Sequence, residues 1–250
     1  MTTVSTGKQN PLAAAEAADR KRKIAIQVGV AAVLVALVAA IGIGIAVKKS
    51  DSDSSTTSAA QLPATGGSVT DSGAVRIGNP DAKVKVRVVA DLQCPACKQF
   101  EAANGEALAQ AAADGTAVID YQIISFLDRA STTQYSSRAA NASFCVAKSD
   151  ASKYQNWLQT MFAKQPAEGT AGLSNEQLIQ IATEVGYTDP AVATCINDKP
   201  YNDYITQVTK ETLNSGVQST PSVFVNGQLI QSDALFTENG MASVIADAAK

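Results

Sequence analysis

The residues in this chain with the clearest capacity for chemistry are its cysteines. The sequence of 250 residues contains four cysteines and no histidine. Cys94 and Cys97 stand at CxxC spacing, where two thiols one helical turn apart can close a disulfide and reopen it by thiol exchange. The lack of histidine excludes a Ser–His or Cys–His nucleophile pair and a histidine-ligated metal. Catalysis in this chain must therefore use cysteine, carboxylate, lysine, tyrosine or hydroxyl groups.

The segments on either side of the cysteine pair predict how it is held. The β-branched run 84–90 predicts a buried strand, and residues 95–113 predict a helix that starts at Pro95 and ends at Asp114-Gly115. Cys94 then lies at the helix N-cap, where unpaired backbone N–H groups and the helix dipole favour its thiolate. We therefore predict that Cys94 is a solvent-facing nucleophile and that Cys97 is a shielded resolving thiol.

A CxxC pair could also form half of a zinc site. Its other two ligands would have to be Cys145 and Cys195, which lie 50 residues apart and lack the second close pair that such sites usually show. The strand–CxxC–helix order favours redox chemistry instead. We predict neither a bound metal nor a cofactor.

The rest of the domain predicts a mixed sheet interrupted by helices. Residues 117–124 form a second strand, so strand, helix and strand make a βαβ unit with parallel pairing. The chain then turns helical in at least four pieces, roughly 132–149, 151–164, 174–186 and 200–214. Strand character returns at 222–225 and 228–230 on either side of Asn226-Gly227, a strong hairpin signal. A helix over about 238–249 closes the domain.

The N-terminal region predicts a membrane anchor. Residues 24–47 are apolar except for Gln27, and as a helix they would span about 36 Å, against roughly 30 Å for a hydrocarbon core. The four cations at 20–23 favour a cytoplasmic segment 1–23, with a Ser/Thr/Gly/Asp-rich linker 48–73 and a domain 74–250 outside the membrane. A cleaved signal peptide is the alternative. Both interpretations deliver the domain to an oxidising compartment.

Two motifs resemble those of a known family. Residues 91–97 (DLQCPAC) follow the first strand, and residues 220–227 (TPSVFVNG) precede the hairpin. Together with the helical insert they resemble the DsbA-like branch of the thioredoxin superfamily, in its membrane-anchored actinobacterial and Gram-positive form, over about residues 74–250. The resemblance implies a thioredoxin-like α/β fold with a mixed central sheet from about 74–130 and 216–250, and an all-helical insert over about 131–215. It also implies that Pro221 is a cis-proline beside the redox pair and that Thr220 presents its backbone to substrate, with Pro95 and Ala96 at the same site.

The same resemblance implies an activity. It is that of a protein thiol–disulfide oxidoreductase, an oxidase that donates its disulfide to exported proteins and is reoxidised by a membrane partner of the DsbB or vitamin-K-epoxide-reductase type. A reductase or isomerase that uses the same cysteines is the second hypothesis, and a non-enzymatic metal-binding module is the third. We expect a monomer, and a net charge of −3 gives no basic field for nucleic acid.

The sequence also departs from that family. The enterobacterial oxidases have histidine where this chain has Ala96, which implies a milder oxidant. Val88 stands where those oxidases bury an acidic residue, and Asp91 lies nearer to Cys94. Cys145 and Cys195 are either buried free thiols or a second, structural disulfide. The adjacency of the CxxC pair favours the disulfide, as do similar actinobacterial proteins.

Overall fold

The structure, a computed structural model, describes residues 69–250. The predicted cytoplasmic segment 1–23, the predicted membrane span 24–47 and most of the predicted linker 48–73 lie outside the described residues. Among the helices of residues 69–250, none is both long enough and apolar enough to cross a bilayer. The membrane anchor therefore stays a prediction from the sequence.

Five strands form one mixed sheet with the spatial order β1-β3-β2-β4-β5. The two central strands, β2 and β3, run parallel, and every other neighbouring pair is antiparallel. The strands are β1 (Val75–Ile77), β2 (Val84–Ala90), β3 (Ala117–Ile123), β4 (Ser222–Val225) and β5 (Gln228–Leu229). Helix α1 (Pro95–Ala113) connects β2 to β3, which confirms the predicted βαβ unit.

A block of helices separates β3 from β4, as the sequence predicts. It contains α2 (Tyr135–Ser149), α3 (Tyr154–Ala163), α4 (Asn175–Glu184), α5 (Pro190–Asp198) and α6 (Asn202–Asn214), and α7 (Gly240–Ala248) follows the hairpin. The sequence did not predict α5, a helix of nine residues that buries only Val192 and Ile196. Its start signals were nevertheless present, because Pro190 is its first residue and the Asp189 carboxylate caps the N–H of Ala191.

The sheet and the helical block share one hydrophobic core. A continuous cluster of buried side chains runs from β2 and β3 through α1 into α2 and α3. Trp157 and Leu158 are fully buried on α3, and the Trp157 ring centroid lies 5.6 Å from that of Tyr154. Because the sheet and the helical block bury their apolar side chains against each other, core packing fixes their relative placement.

The hairpin β4–β5 turns at Asn226 and Gly227. Their φ angles of 49° and 82° are both positive, as a two-residue type I′ turn requires. The Asn226 side-chain oxygen accepts the N–H of Lys85, and the Asn226 N–H donates to the Lys85 carbonyl, both at 2.8 Å. These bonds join the turn to β2 and fix the register of β4, whose first residue follows Pro221.

Gly172 lies against a buried tyrosine at the start of the helical block. Its φ is 70°, and an added Cβ would come within 2.2 Å of the Cγ atom of Tyr135, which is fully buried. We predict that Gly172→Ala lowers the free energy of unfolding by about 3 kcal/mol, because it adds a steric clash to the cost of a positive φ. Urea denaturation measures the change.

Gly115→Ala is the matched control for this prediction. Its φ is 77°, but an added Cβ there meets nothing within 4 Å, so only the conformational cost of about 1 kcal/mol applies. An equal loss of unfolding free energy in Gly172→Ala and Gly115→Ala would show that Tyr135 moves aside to accommodate the added methyl group.

Candidate active site

Strand β2 and helix α1 position the two cysteines. Cys94 is the N-cap of α1, with φ −76° and ψ 120°, and Pro95 is the first helical residue. Both thiols are free; Cys97 is 1% exposed and Cys94 only 7% exposed. Cys94 is thus less open to solvent than the sequence predicts, because the backbone of Thr220 lies against its sulfur. The two exposures still rank in the predicted order.

The surroundings of the two sulfurs push their pKa values apart. Hydrogen bonding to the Cys97 thiol is the largest influence on Cys94 and lowers its pKa. Burial acts the other way, but the Thr220 side chain and the N–H groups of Cys97 and Ala96 bring the pKa of Cys94 down to about 6. Burial, followed by the neighbouring Cys94 sulfur, raises the pKa of Cys97 well above its ordinary value. Near neutral pH the reduced pair therefore carries its negative charge on Cys94.

The loop before β4 covers the cysteine pair from the opposite side. The peptide bond between Thr220 and Pro221 is cis, and the Cys94 sulfur lies 3.3 Å from the Thr220 carbonyl oxygen, to which it donates a hydrogen bond when it is protonated. Thr220 and Pro221 are half-buried, as is Ala96, while Pro95 is exposed. The structure thus brings all six residues that the sequence singles out for the redox site to one place.

Comparisons with known proteins agree with this arrangement. The thioredoxin family model matches residues 70–246. The reduced DsbA of Mycobacterium tuberculosis superposes with a TM-score of 0.58 at 31% identity, over 70% of this chain and 98% of that one. The chain belongs to the thioredoxin family and is a DsbA-like thiol–disulfide oxidoreductase.

Two further matches come from the same organism. The reduced disulfide bond oxidoreductase DsbG of Mycobacterium tuberculosis superposes with a TM-score of 0.58 at 31% identity, over 70% of this chain and 92% of that one. The serine/threonine-protein kinase PknE of Mycobacterium tuberculosis is 31% identical over 143 residues, which cover 55% of this chain. The DsbA-like chain spans about a quarter of the kinase's length.

A buried carboxylate lies directly behind the nucleophile of this DsbA-like enzyme. Asp91 is fully buried, and burial raises its pKa to about 6, although three hydrogen bonds that the carboxylate accepts act in the opposite direction. The negative Cys94 sulfur also contributes to the rise. Val88, the other position considered from the sequence, is a fully buried apolar residue of β2. The buried acidic group that interacts with the redox pair is therefore Asp91, in the loop after the strand.

Sequence reasoning missed one residue that contacts the cysteine backbone. The side-chain amide of Gln165, in the loop after α3, donates to the carbonyl oxygens of Leu92 at 3.1 Å and Cys94 at 3.0 Å. No local signal marks this glutamine, because its partners lie 73 and 71 residues earlier in the chain. Only the docking of the helical block onto the sheet brings them together.

The other two cysteines are bonded to each other. A disulfide joins Cys145 of α2 to Cys195 of α5, with their Cα atoms 5.8 Å apart. Cysteines bonded in this way cannot complete a zinc site with the CxxC pair, and residues 69–250 contain no group of three or more acidic or cysteine side chains placed to hold a metal ion. Beside the bridge, the buried Asn141 donates to the Cys195 carbonyl and accepts the N–H of Tyr201, both at 3.2 Å.

Proposed function

We propose that this DsbA-like enzyme is an oxidase that donates the Cys94–Cys97 disulfide to reduced proteins outside the cytoplasm. The observation that carries the proposal is the placement of the two sulfurs: Cys94 lies at the N-cap of α1 against the Thr220 backbone, and Cys97 is 1% exposed. This placement lowers the pKa of Cys94 to about 6 and raises the pKa of Cys97 well above its ordinary value. A stabilised Cys94 thiolate lowers the energy of the reduced enzyme. The disulfide is then given up readily, because its reduction yields a favoured product.

The proposed reaction has two exchange steps. A substrate thiolate attacks the Cys94 sulfur of the disulfide, so that a mixed disulfide forms, the Cys94–Cys97 bond breaks, and Cys97 leaves and takes up a proton. A second substrate thiolate then attacks the substrate sulfur, and Cys94 departs as the thiolate. The substrate loses two electrons and the enzyme gains them. The low pKa of Cys94 makes it a good leaving group in the second step.

The loop before β4 offers a docking place for the substrate. An extended substrate segment would pair with the backbone at Thr220 while its sulfur bonds to Cys94. The support for this proposal is the 3.3 Å contact between the Cys94 thiol and the Thr220 carbonyl, which places the backbone beside the reacting sulfur. Pro95, exposed next to Cys94, and Ala96 would form the other side of the contact.

The domain organisation completes the proposal. The cytoplasmic segment 1–23, the signal-anchor 24–47 and the linker 48–73 would hold the domain 74–250 on the outer face of the membrane, with the insert at about 131–215. Each turnover leaves two electrons on the enzyme, so a membrane reoxidant of the DsbB or vitamin-K-epoxide-reductase type must remove them. We propose that the enzyme works as a monomer on exported, reduced proteins.

The test is the reduction potential of the Cys94–Cys97 pair in the full-length protein, purified in detergent and equilibrated in glutathione buffers. A value above about −180 mV, towards the −120 mV typical of strong oxidants, supports disulfide donation. A value near about −270 mV would indicate a thioredoxin-like reductant and would rule the oxidase out. With alanine at position 96, we expect a value on the milder side of the oxidase range.

A variant of the resolving cysteine tests the origin of the low Cys94 pKa. Cys97→Ala removes the hydrogen bond that contributes most to stabilising the Cys94 thiolate. The pKa of Cys94 should then rise by at least about one unit, so alkylation at pH 6 slows while alkylation at pH 9 is little changed. The measurement is the pH dependence of the iodoacetamide rate, with the modified peptide identified by mass.

Urea-unfolded samples of both proteins are the control for Cys97→Ala. Their Cys94 thiols share the ordinary midpoint near pH 8.5, so any difference between the folded proteins comes from the fold. An unchanged midpoint in folded Cys97→Ala would mean that the helix N-terminus and Thr220 suffice to stabilise the thiolate.

A further inference from the structure

The helical insert contacts the redox loop at two separate places. The redox loop is the segment 91–94 that joins β2 to α1. From the first turn of α2, the Ser136 hydroxyl donates to the Asp91 carboxylate at 2.7 Å. From the loop after α3, the Gln165 amide donates to the backbone carbonyls of Leu92 and Cys94. Both donors are in the insert, and all three acceptors are in the loop that carries the nucleophile.

Asp91 fixes the conformation of this loop. One carboxylate oxygen accepts the N–H of Gln93 at 2.8 Å as well as the Ser136 hydroxyl, and the other accepts the N–H of Leu127 at 2.8 Å. The Asp91 backbone carbonyl accepts the N–H of Cys94 at 3.0 Å. Bonds to a buried ionised acceptor are stronger than neutral ones, so the carboxylate holds three chain segments together.

The position of Cys94 decides how well its thiolate is stabilised. At the N-cap of α1 the Cys94 sulfur faces the positive end of the helix, and it lies 3.3 Å from the Thr220 carbonyl oxygen. Hydrogen bonds weaken steeply with distance and angle, so a shift of the loop by a fraction of an ångström removes part of this stabilisation. The hydrogen bonds that hold the redox loop in place therefore affect how stable the Cys94 thiolate is.

We propose that the helical insert positions the nucleophile for thiol–disulfide exchange. Ser136, acting through the Asp91 carboxylate, and Gln165, acting on the Cys94 carbonyl, are its positioning residues. The inference rests on the proposed role of Cys94 as the nucleophile. It gives the insert a function in the reaction beyond its contribution to the core.

Whether the pKa of Cys94 rises or falls when Ser136 is removed shows whether Ser136 positions the loop or only keeps Asp91 charged. Asp91 is faced by the Cys94 sulfur and by Tyr135 of α2, whose ring lies 5.7 Å from the Arg138 guanidinium. If Ser136 acted only by keeping Asp91 charged, its removal would reduce repulsion and lower the pKa of Cys94. If Ser136 positions the loop, its removal raises the pKa of Cys94. Gln165 is neutral and does not contact the carboxylate in either case.

The experiment compares three alanine variants of the full-length protein in detergent. Ser136→Ala and Gln165→Ala remove one anchor each. Ser143→Ala is the matched control, because Ser143 is also a buried serine of α2 with one 2.7 Å hydroxyl bond, to Tyr154, away from the redox loop. The readouts are the pH dependence of iodoacetamide alkylation at Cys94, the reduction potential and the thermal unfolding temperature.

We expect Ser136→Ala and Gln165→Ala each to raise the alkylation midpoint by about half a pH unit, which slows the reaction at pH 5 about threefold. The reduction potential should fall by about 14 mV, the equivalent of a threefold change in the exchange equilibrium. Ser143→Ala should change neither quantity. Its unfolding temperature should also fall, but by less than that of Ser136→Ala, because Ser143 loses a bond to a neutral hydroxyl and Ser136 loses one to a carboxylate.

Three outcomes would overturn the inference: a Ser136→Ala profile equal to that of Ser143→Ala, a lowered midpoint in Ser136→Ala, or an unchanged midpoint in Gln165→Ala. Alkylation needs no protein substrate, so these outcomes are independent of the oxidase proposal. A wild-type potential near about −270 mV would remove that proposal and leave the positioning result standing.

Discussion

Cys94→Ser should lose catalysed disulfide exchange, with the oxidation rate of a reduced model protein falling at least about 1,000-fold. The serine oxygen cannot form a disulfide with a substrate sulfur, so neither exchange step can occur at this position. The other sulfur does not replace it, because Cys97 is only 1% exposed and its pKa is raised well above the ordinary value by burial. The assay is single-turnover oxidation of a reduced, unfolded protein by the preoxidised enzyme, with free thiols counted over time.

Cys97→Ser is the matched variant for this prediction. It retains the Cys94 nucleophile but lacks the resolving thiol, and it is mixed in its reduced form with a substrate protein that carries a disulfide. Attack by the Cys94 thiolate breaks the substrate S–S bond, releases one substrate thiolate and forms a mixed disulfide. With no thiol at position 97 to attack the Cys94 sulfur, this mixed disulfide should accumulate and be visible as a larger species in a non-reducing gel. Cys94→Ser should give no such species. If Cys94→Ser trapped substrate and Cys97→Ser did not, the two assigned roles would be exchanged.

The parts of the site that follow from local sequence were predictable. A strand and a short loop that ends in a cysteine followed by proline indicate a helix start, so the N-cap place of Cys94 and the bounds of α1 could be derived from the sequence. The Asn226-Gly227 hairpin is equally local, because its two residues alone supply the positive φ angles that the turn needs. In both places one short segment contains all the necessary information.

The parts that depend on docking were not predictable. The partners of Asp91 lie 36 and 45 residues away, at Leu127 and Ser136, and those of Gln165 are still more distant. A single sequence shows that Asp91 is acidic and near Cys94, but it does not show which hydrogen-bond donors offset the cost of burying its carboxylate. Helix α5 escaped prediction for a related reason, since it buries few side chains and is held by the bridge at Cys195 and by its neighbours.

Helix α2 links the stability of the helical insert to the position of the redox loop. α2 carries Ser136 at its start and Cys145 near its end, so the helix that anchors Asp91 is also one partner of the disulfide. Its middle is buried, with Phe144 packed 5.5 Å from Tyr201 between ring centroids. Loosening the far end of α2 therefore affects the same element that holds the redox loop in place.

Cys145→Ala combined with Cys195→Ala should lower the free energy of unfolding by about 4 kcal/mol, the largest stability effect that we expect from this structure. The bridge closes a loop with a sequence separation of 50 residues, which includes α3 and α4, and its loss frees that loop in the unfolded chain. The measurement is urea denaturation in a Cys94→Ala/Cys97→Ala background, where the redox pair cannot contribute. The same background with the bridge intact is the reference, and adding a reductant to it should reproduce the loss. A difference below about 1 kcal/mol would mean that the contacts of Asn141 with Cys195 and Tyr201, together with the surrounding core, already hold α5 against α2 without the covalent bond.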